Sequence, residues 1–319
     1  MYIRFMKLLQ KYLSLVLLFV LGVPAWADAP GKNGSRTISS GTVIINQYDV
    51  LNGAAVAGAT TITVNNISNL VSPESTGGGP LGTGDVVMIY QARGATINTT
   101  NTPTYGDITY LNAGNYELRT VRSVAGNVIT LDASSNGTAC VAGLKNSYSS
   151  GAQVIRVPQY SNLTVSASAS VSATTWTGSV GGVVAALVQG TLTVDGSISV
   201  NGQGFRGGIR DGTDRPSGGG ETVTFVSDAS PAGGQKGEGI ASGGGGDFGG
   251  VALTYSNPGG NFDIGAPANG GGGGGSHNGG GGGGANAASS LTPYCTAGTS
   301  TYTTAATTAF VWCGQGVMP

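Results

Sequence analysis

Charge is scarce in this sequence: only 9 % of its 319 residues are Asp, Glu, Lys or Arg. Nowhere do Lys and Arg gather as they must to neutralise a phosphate backbone, so nucleic acid is excluded as a partner. Histidine occurs once, as His277 between two oligoglycine runs. Without a second histidine or a fixed carboxylate nearby in sequence, it supports neither a catalytic triad nor a histidine metal site. The three cysteines, Cys140, Cys295 and Cys313, match neither a zinc spacing nor a CxxC redox motif. Cys295 and Cys313 would close a short local loop, which leaves Cys140 as a buried thiol or as a partner for another chain. No serine lies in GxSxG, and no window beyond the first segment shows an amphipathic helix. These absences leave no catalytic, cofactor-binding or metal-ligating residue to nominate.

Long apolar runs are also missing, apart from one at the N-terminus. Arg4, Lys7 and Lys11 precede the run Leu15 to Val23, and Ala25-Trp26-Ala27 follows as a small-x-small cleavage signal. The run is about half of the roughly 20 residues needed to span a bilayer as a helix. Residues 1–27 therefore read as a signal peptide, with Asp28 as the first mature residue. Its removal leaves 11 of the 14 basic residues against 15 acidic ones, a net charge of −4. With no later apolar stretch, the mature chain has no membrane span and is expected outside the cell or on a bacterial surface. Disulfides are permitted there.

What the sequence does have is glycine, 59 residues of it, together with Ser, Thr and Asn. From 28 to about 160 the glycines and asparagines bound short β-branched or aromatic runs: Thr42–Ile45, Thr61–Val64, Asp85–Tyr90, Tyr116–Val121 and Val128–Leu131. Ala125-Gly126-Asn127 separates the last two and predicts a hairpin. Tyr116 to Arg119 alternates apolar with charged residues, which predicts an apolar face toward a core and a charged face toward water. The Thr- and Asn-rich stretch Ala95 to Thr109 is long for a hairpin connection and is expected as a surface loop.

A repeat follows. Leu163-Thr-Val-Ser-Ala-Ser-Ala-Ser-Val171 aligns with Leu192-Thr-Val-Asp-Gly-Ser-Ile-Ser-Val200, identical at six of nine positions with an offset of 29. The same offset sets Trp176 opposite Phe205, and the apolar run Val183–Val188 lies between the copies. This is the periodicity of a β-solenoid coil, although stacks generally need about three copies for stability. Residues 201–290 then hold 33 of the glycines. Such a segment either remains a linker or packs as extended polyproline-type helices that approach closely because side chains are missing. The runs Thr222–Val226 and Val251–Tyr255 within it argue for partial order. The fold class expected is mainly β: a barrel- or sandwich-like module over 28–160, a short β-solenoid-like segment over 161–205, and a partly ordered glycine-rich region over 206–290. An Ala/Ser/Thr tail over 291–319 ends the chain and reads as the end of a fragment or of an interrupted frame.

Two motifs invite a chemical reading. Gly202-Gln-Gly204-Phe-Arg-Gly207 has the letters GxGxxG, but no helix can begin in the glycines that follow, as a dinucleotide site requires. Arg206, Arg210, Asp211, Asp214, Arg215 and Glu221 form the one dense charge cluster, suited to a solvated ion-paired loop, to calcium or to an acidic sugar. The calcium nonapeptide fails near Asp247, because Ser242 replaces its first glycine.

The order of these parts resembles the N-terminal portion of large secreted glycine-rich bacterial surface proteins, of the adhesin-like and gliding-motility-associated kind. The likeness is carried by Gly84–Ile89, Leu144–Tyr148, Val154–Val165 and Gly202–Gly208. It implies a structural or adhesive role without catalysis, polysaccharide or neighbouring surface molecules as partners, and scope for self-association. The alternative is a carbohydrate-active enzyme of the polysaccharide-lyase type, drawing on Arg206, Arg210, Asp211 and Asp214.

Overall fold

The computed structural model describes residues 31–110, 112–132, 134–135, 140–141, 143–208, 225–226, 236–241, 246–248, 251–253 and 264–273. The expectations for residues 1–27, the charged residues 210–221, His277, Cys295, Cys313 and the tail lie outside them. The described residues are mainly β, with one short 3-10 turn at Ile67–Leu70 whose Ser68 amide is capped by the Asn66 side chain and whose Ile67 amide is capped by that of Asn127.

Strands β1 (Arg36–Ile38) and β2 (Gly41–Ile44) open the chain as the first coil of a parallel stack. The chain then leaves the stack to build a curled antiparallel sheet. Its strands are β3 (Gln47–Val50), β4 (Thr61–Thr63), β5 (Val86–Tyr90), β8 (Tyr116–Ala125), β9 (Val128–Leu131) and β12 (Gln153–Val157), in the order β3-β12-β5-β8-β9-β4. Between these lie two small hairpins, β6 (Thr96–Ile97) with β7 (Ile108–Tyr110) and β10 (Ser134–Ser135) with β11 (Cys140–Val141). The end strands meet at a bridge between Leu51 and Val64, reinforced by the Asn52 and Asn65 amides bonding to Thr63 and Val50 carbonyls. The curl wraps a core of Leu51, Ile62, Val64, Val87, Ile89, Val121, Ile129 and Val154, all buried. A two-residue turn joins β8 to β9, where Gly126 supplies the left-handed φ of 57° that other residues avoid.

The face assignment on β8 is the reverse of the expected one. Glu117 and Arg119 point inward and Tyr116 and Leu118 outward. The reason is tertiary. The Glu117 carboxylate accepts from the amides of Lys145 (2.9 Å) and Asn146 (3.0 Å) and from the Tyr148 hydroxyl (3.0 Å), and it pairs with Arg119 at 2.5 Å. A buried charge is tolerated when its lone pairs are filled in this way.

The chain returns to the stack through β13 (Gln159–Tyr160), β14 (Leu163–Val165) and β15 (Ala169–Ser172), and closes a third coil with β16 (Leu187–Val188), β17 (Leu192–Val194) and β18 (Ser197–Ile198). The repeat register is observed: Leu163, Thr164 and Val165 pair in parallel with Leu192, Thr193 and Val194. After the corner the offset shortens from 29 to 27, because Ser170 pairs with Ser197. Trp176 and Phe205 meet edge to face at 5.0 Å. The third copy that stacking calls for is the N-terminal segment. Arg36–Ile38 pairs with Leu163–Val165, and Gly41–Ile44 with Ala169–Ser172. Ile38, Leu163, Val165 and Val171 fill the interior. Of the apolar run Val183–Val188, only its last two residues form a strand.

The glycine-rich block is ordered where it is described. The Glu238 amide donates to the Arg206 carbonyl (2.7 Å) and the Gly237 amide to the Gly271 carbonyl (2.6 Å). These extended segments approach so closely that a Cβ on Gly239 would lie 2.6 Å from both the Gly270 nitrogen and the Asn269 side chain. They also cover the stretch expected as a free surface loop. Ile97 and Tyr105 are buried against Ala241 and Ala268, and Phe225 and Val226 pack beside them. A further hairpin, β19 (Gly246–Phe248) with β20 (Val251–Leu253), supplies the last of the described strands.

Candidate functional site

The outward face of the six-stranded sheet is read in rows across strands, because residues directly opposite in an antiparallel pair share a face. One row runs from Val50 through Gln153 and Tyr90 to Tyr116, and the next from Tyr48 through Ile155 and Met88 to Leu118. Over β3 and β12 this face is closed by the segment 181–186. Tyr48 donates its hydroxyl to the Val183 carbonyl at 2.6 Å, the Gln153 side chain bonds both ways with Gly181, and Asn46 holds Ala185 in the same manner. Burial there pushes the Tyr48 hydroxyl up to about 12.

Toward β5 and β8 the cover ends. Tyr90 and Met88 are half-buried, whereas Tyr116 is 63 % and Leu118 42 % exposed. The result is a shelf of two phenol rings, the Met88 thioether and the Leu118 side chain on paired strands, beside the wall made by 181–186. The hydroxyls of Tyr90 and Tyr116 take no partner among the described residues. Burial of the ring raises the Tyr90 hydroxyl above its ordinary value. The shelf carries no formal charge, since Glu117 and Arg119 beneath it are turned inward and paired. Chemically it can offer flat apolar faces with hydroxyls at their rims to a ligand with the same mixed character.

Arg206 is the described member of the sequence-predicted charge cluster, and it is used in packing. Its amide donates to Glu238 Oε2 at 3.0 Å, and its guanidinium bonds to the carbonyls of Gly207 and Lys236. The GxGxxG letters at Gly202–Gly207 fall on a turn and extended chain, with no helix after them among the described residues. No group of three potential metal ligands, and no helix long and apolar enough to cross a membrane, occurs among the described residues. Nothing in the sequence singled out the shelf, because the alternation around Tyr116 pointed its apolar residues inward. The available signal was the pair of tyrosines that a β5–β8 register would set side by side.

No family model and no curated protein matches the sequence. Solved structures with a weak likeness are the tailspike gp61 of Pseudomonas phage phi297, the tailspike gp49 of Pseudomonas phage LKA1, and the Gp54 tailspike of Acinetobacter baumannii bacteriophage AP22, the last in complex with A. baumannii capsular saccharide. Their identities are 16 %, 14 % and 12 %, with TM-scores of 0.22, 0.20 and 0.23. The alignments cover 53 %, 46 % and 52 % of this chain but 24 %, 27 % and 27 % of those chains. The chain thus spans about a quarter of the length of the structures it matches.

Proposed function

We propose that this chain is an exported structural or adhesive protein of the bacterial surface or matrix, which holds polysaccharide on the outer shelf of its sheet without reacting with it. The observation that carries the reading is the cross-strand pair Tyr90 and Tyr116 beside Met88 and Leu118, open and uncharged. Sugar rings have apolar C–H faces and hydroxyl edges, and aromatic rings fixed on strands meet both at little cost in side-chain entropy. The glycine-rich surface-protein type that the sequence resembles fits this role, with the leader as its route out of the cell. Net negative charge and the absence of a basic cluster direct the shelf toward neutral or weakly charged polymers rather than polyanions.

The test is retention of the chain from Asp28 onward on a panel of insoluble neutral and acidic polysaccharides, with soluble sugar assayed from the same samples. Tyr116→Ala and Tyr90→Ala should each weaken retention roughly five- to tenfold, about 1 kcal/mol per ring. Retention unchanged in the double variant would remove the shelf from the reading. Released sugar that disappears in Arg210→Ala or Asp211→Ala would replace it with the enzyme.

A further inference from the structure

A second recess lies where the first coil meets the sheet. Asn33, Ser35 and Arg36 form one wall and the loop residues Pro73, Glu74, Ser75 and Thr76 the other, around a cleft of about 320 Å³. The loop is held on both sides. Ser72 and Gly79 exchange backbone bonds, Asn33 donates to the Gly77 carbonyl at 3.1 Å, and Arg156 donates to the Gly79 carbonyl at 2.5 Å. Such support fixes the position of Glu74, whose side chain is only 6 % exposed. Its Oε1 accepts from Arg36 Nη1 and from the Tyr160 hydroxyl, while its Oε2 is buried with no partner among the described residues. Arg36 is the complement. Its Nη1 also reaches the Tyr160 hydroxyl at 3.1 Å, but its Nε and Nη2 take no partner among the described residues, and the side chain is 28 % exposed.

We infer that this cleft binds a neutral sugar unit, one or two rings in size. The lining offers the Arg36 Nε and Nη2 donors, which lack acceptors among the described residues, beside the exposed hydroxyl residues Ser75 and Thr76, while the buried Glu74 carboxylate holds the guanidinium in place. Vicinal hydroxyls, each able to donate and accept, satisfy both together. An anion would face the Glu74 carboxylate and a cation the Arg36 guanidinium, whereas the pair cancels for a neutral ligand. The hydroxyls of Ser75 and Thr76 lie at the open rim, and the Pro73 ring supplies an apolar face. The volume is at the small end of ligand sites, which run from about 300 to 1,000 Å³. The inference shares only a ligand class with the shelf reading, and the two have separate variants.

The experiment is ligand-observed NMR titration of the chain from Asp28 onward, carrying Tyr116→Ala to silence the shelf, with the methyl glycosides of glucose, galactose, mannose and N-acetylglucosamine, and with methyl glucuronide as the acidic control. At least one neutral glycoside should bind saturably and the glucuronide should not. Glu74→Gln, which keeps the shape and loses the charge, should weaken that binding at least tenfold. If Glu74→Gln fails to fold, Ser75→Trp fills the cleft from its exposed rim and should abolish binding with the thermal midpoint unchanged. Binding by none of the neutral glycosides, tighter binding of the glucuronide, or neutral binding unchanged in Ser75→Trp each overturns the inference. Neutral binding by the unaltered chain that is absent in the Tyr116→Ala background moves the sugar to the shelf.

Discussion

Removing the carboxylate of Glu117 strands the Arg119 guanidinium inside the sheet and leaves two loop amides and the Tyr148 hydroxyl without an acceptor. Glu117→Ala should therefore cost about 3–5 kcal/mol, read as a lower urea midpoint, because breaking one side of a buried pair leaves the other charge uncompensated. Glu117→Gln, which still accepts from the loop amides, should cost less. The buried tyrosines give a residue-scale dependence on pH. The Tyr48 hydroxyl is raised by burial from 10.0 to about 12, and burial moves Tyr148 and Tyr160 in the same direction. The fold holds the neutral phenol, so its stabilising contribution is full below pH 10 and is lost as pH rises through about 12. The thermal midpoint should fall across that window in step with the appearance of phenolate absorbance. Tyr48→Phe should flatten part of the fall.

At the scale of the element, equivalent positions of one repeat have unequal weight. Leu163 is 2 % exposed in the middle coil, while its partner Leu192 is 49 % exposed in the third, the last among the described residues. Leu163→Ala should cost about 2–5 kcal/mol and Leu192→Ala within about 0.5, measured by urea unfolding of the two variants side by side. The sequence made the last two coils legible because six identities in nine residues recur with a fixed offset. It hid the first coil, since Arg36-Thr-Ile38 shares only a threonine with Leu163-Thr-Val165 and lies on the far side of the whole sheet. The shelf was hidden for a different reason. Alternation reports which residues share a face, not which face is covered, and on β8 three hydrogen bonds to a distant loop drew the charged side inward. The glycine block shows the converse, an order that composition alone left open. A Cβ on Gly265 would lie 2.1 Å from the Phe225 carbonyl oxygen and 2.4 Å from the Tyr105 ring. Gly265→Ala should cost about 1–3 kcal/mol and speed amide hydrogen exchange in 236–241 and 264–273.

At the scale of the whole molecule, one architecture is set inside another. The sheet leaves the stack after β2 and rejoins it before β13, and its points of departure and return are hydrogen-bonded neighbours, Gln47 opposite Arg156. That junction orders assembly in time. As the chain emerges, β1 and β2 come first and have nothing to stack on until residues beyond 160 arrive. Joining the two across an unfolded insert would confine a loop of more than a hundred residues, whereas a folded sheet brings both ends to adjacent strands beforehand and shortens the closure to a few residues. The first coil is thus made before the sheet yet finds its place after it, so the stack waits on the insert before β1 and β2 can be used.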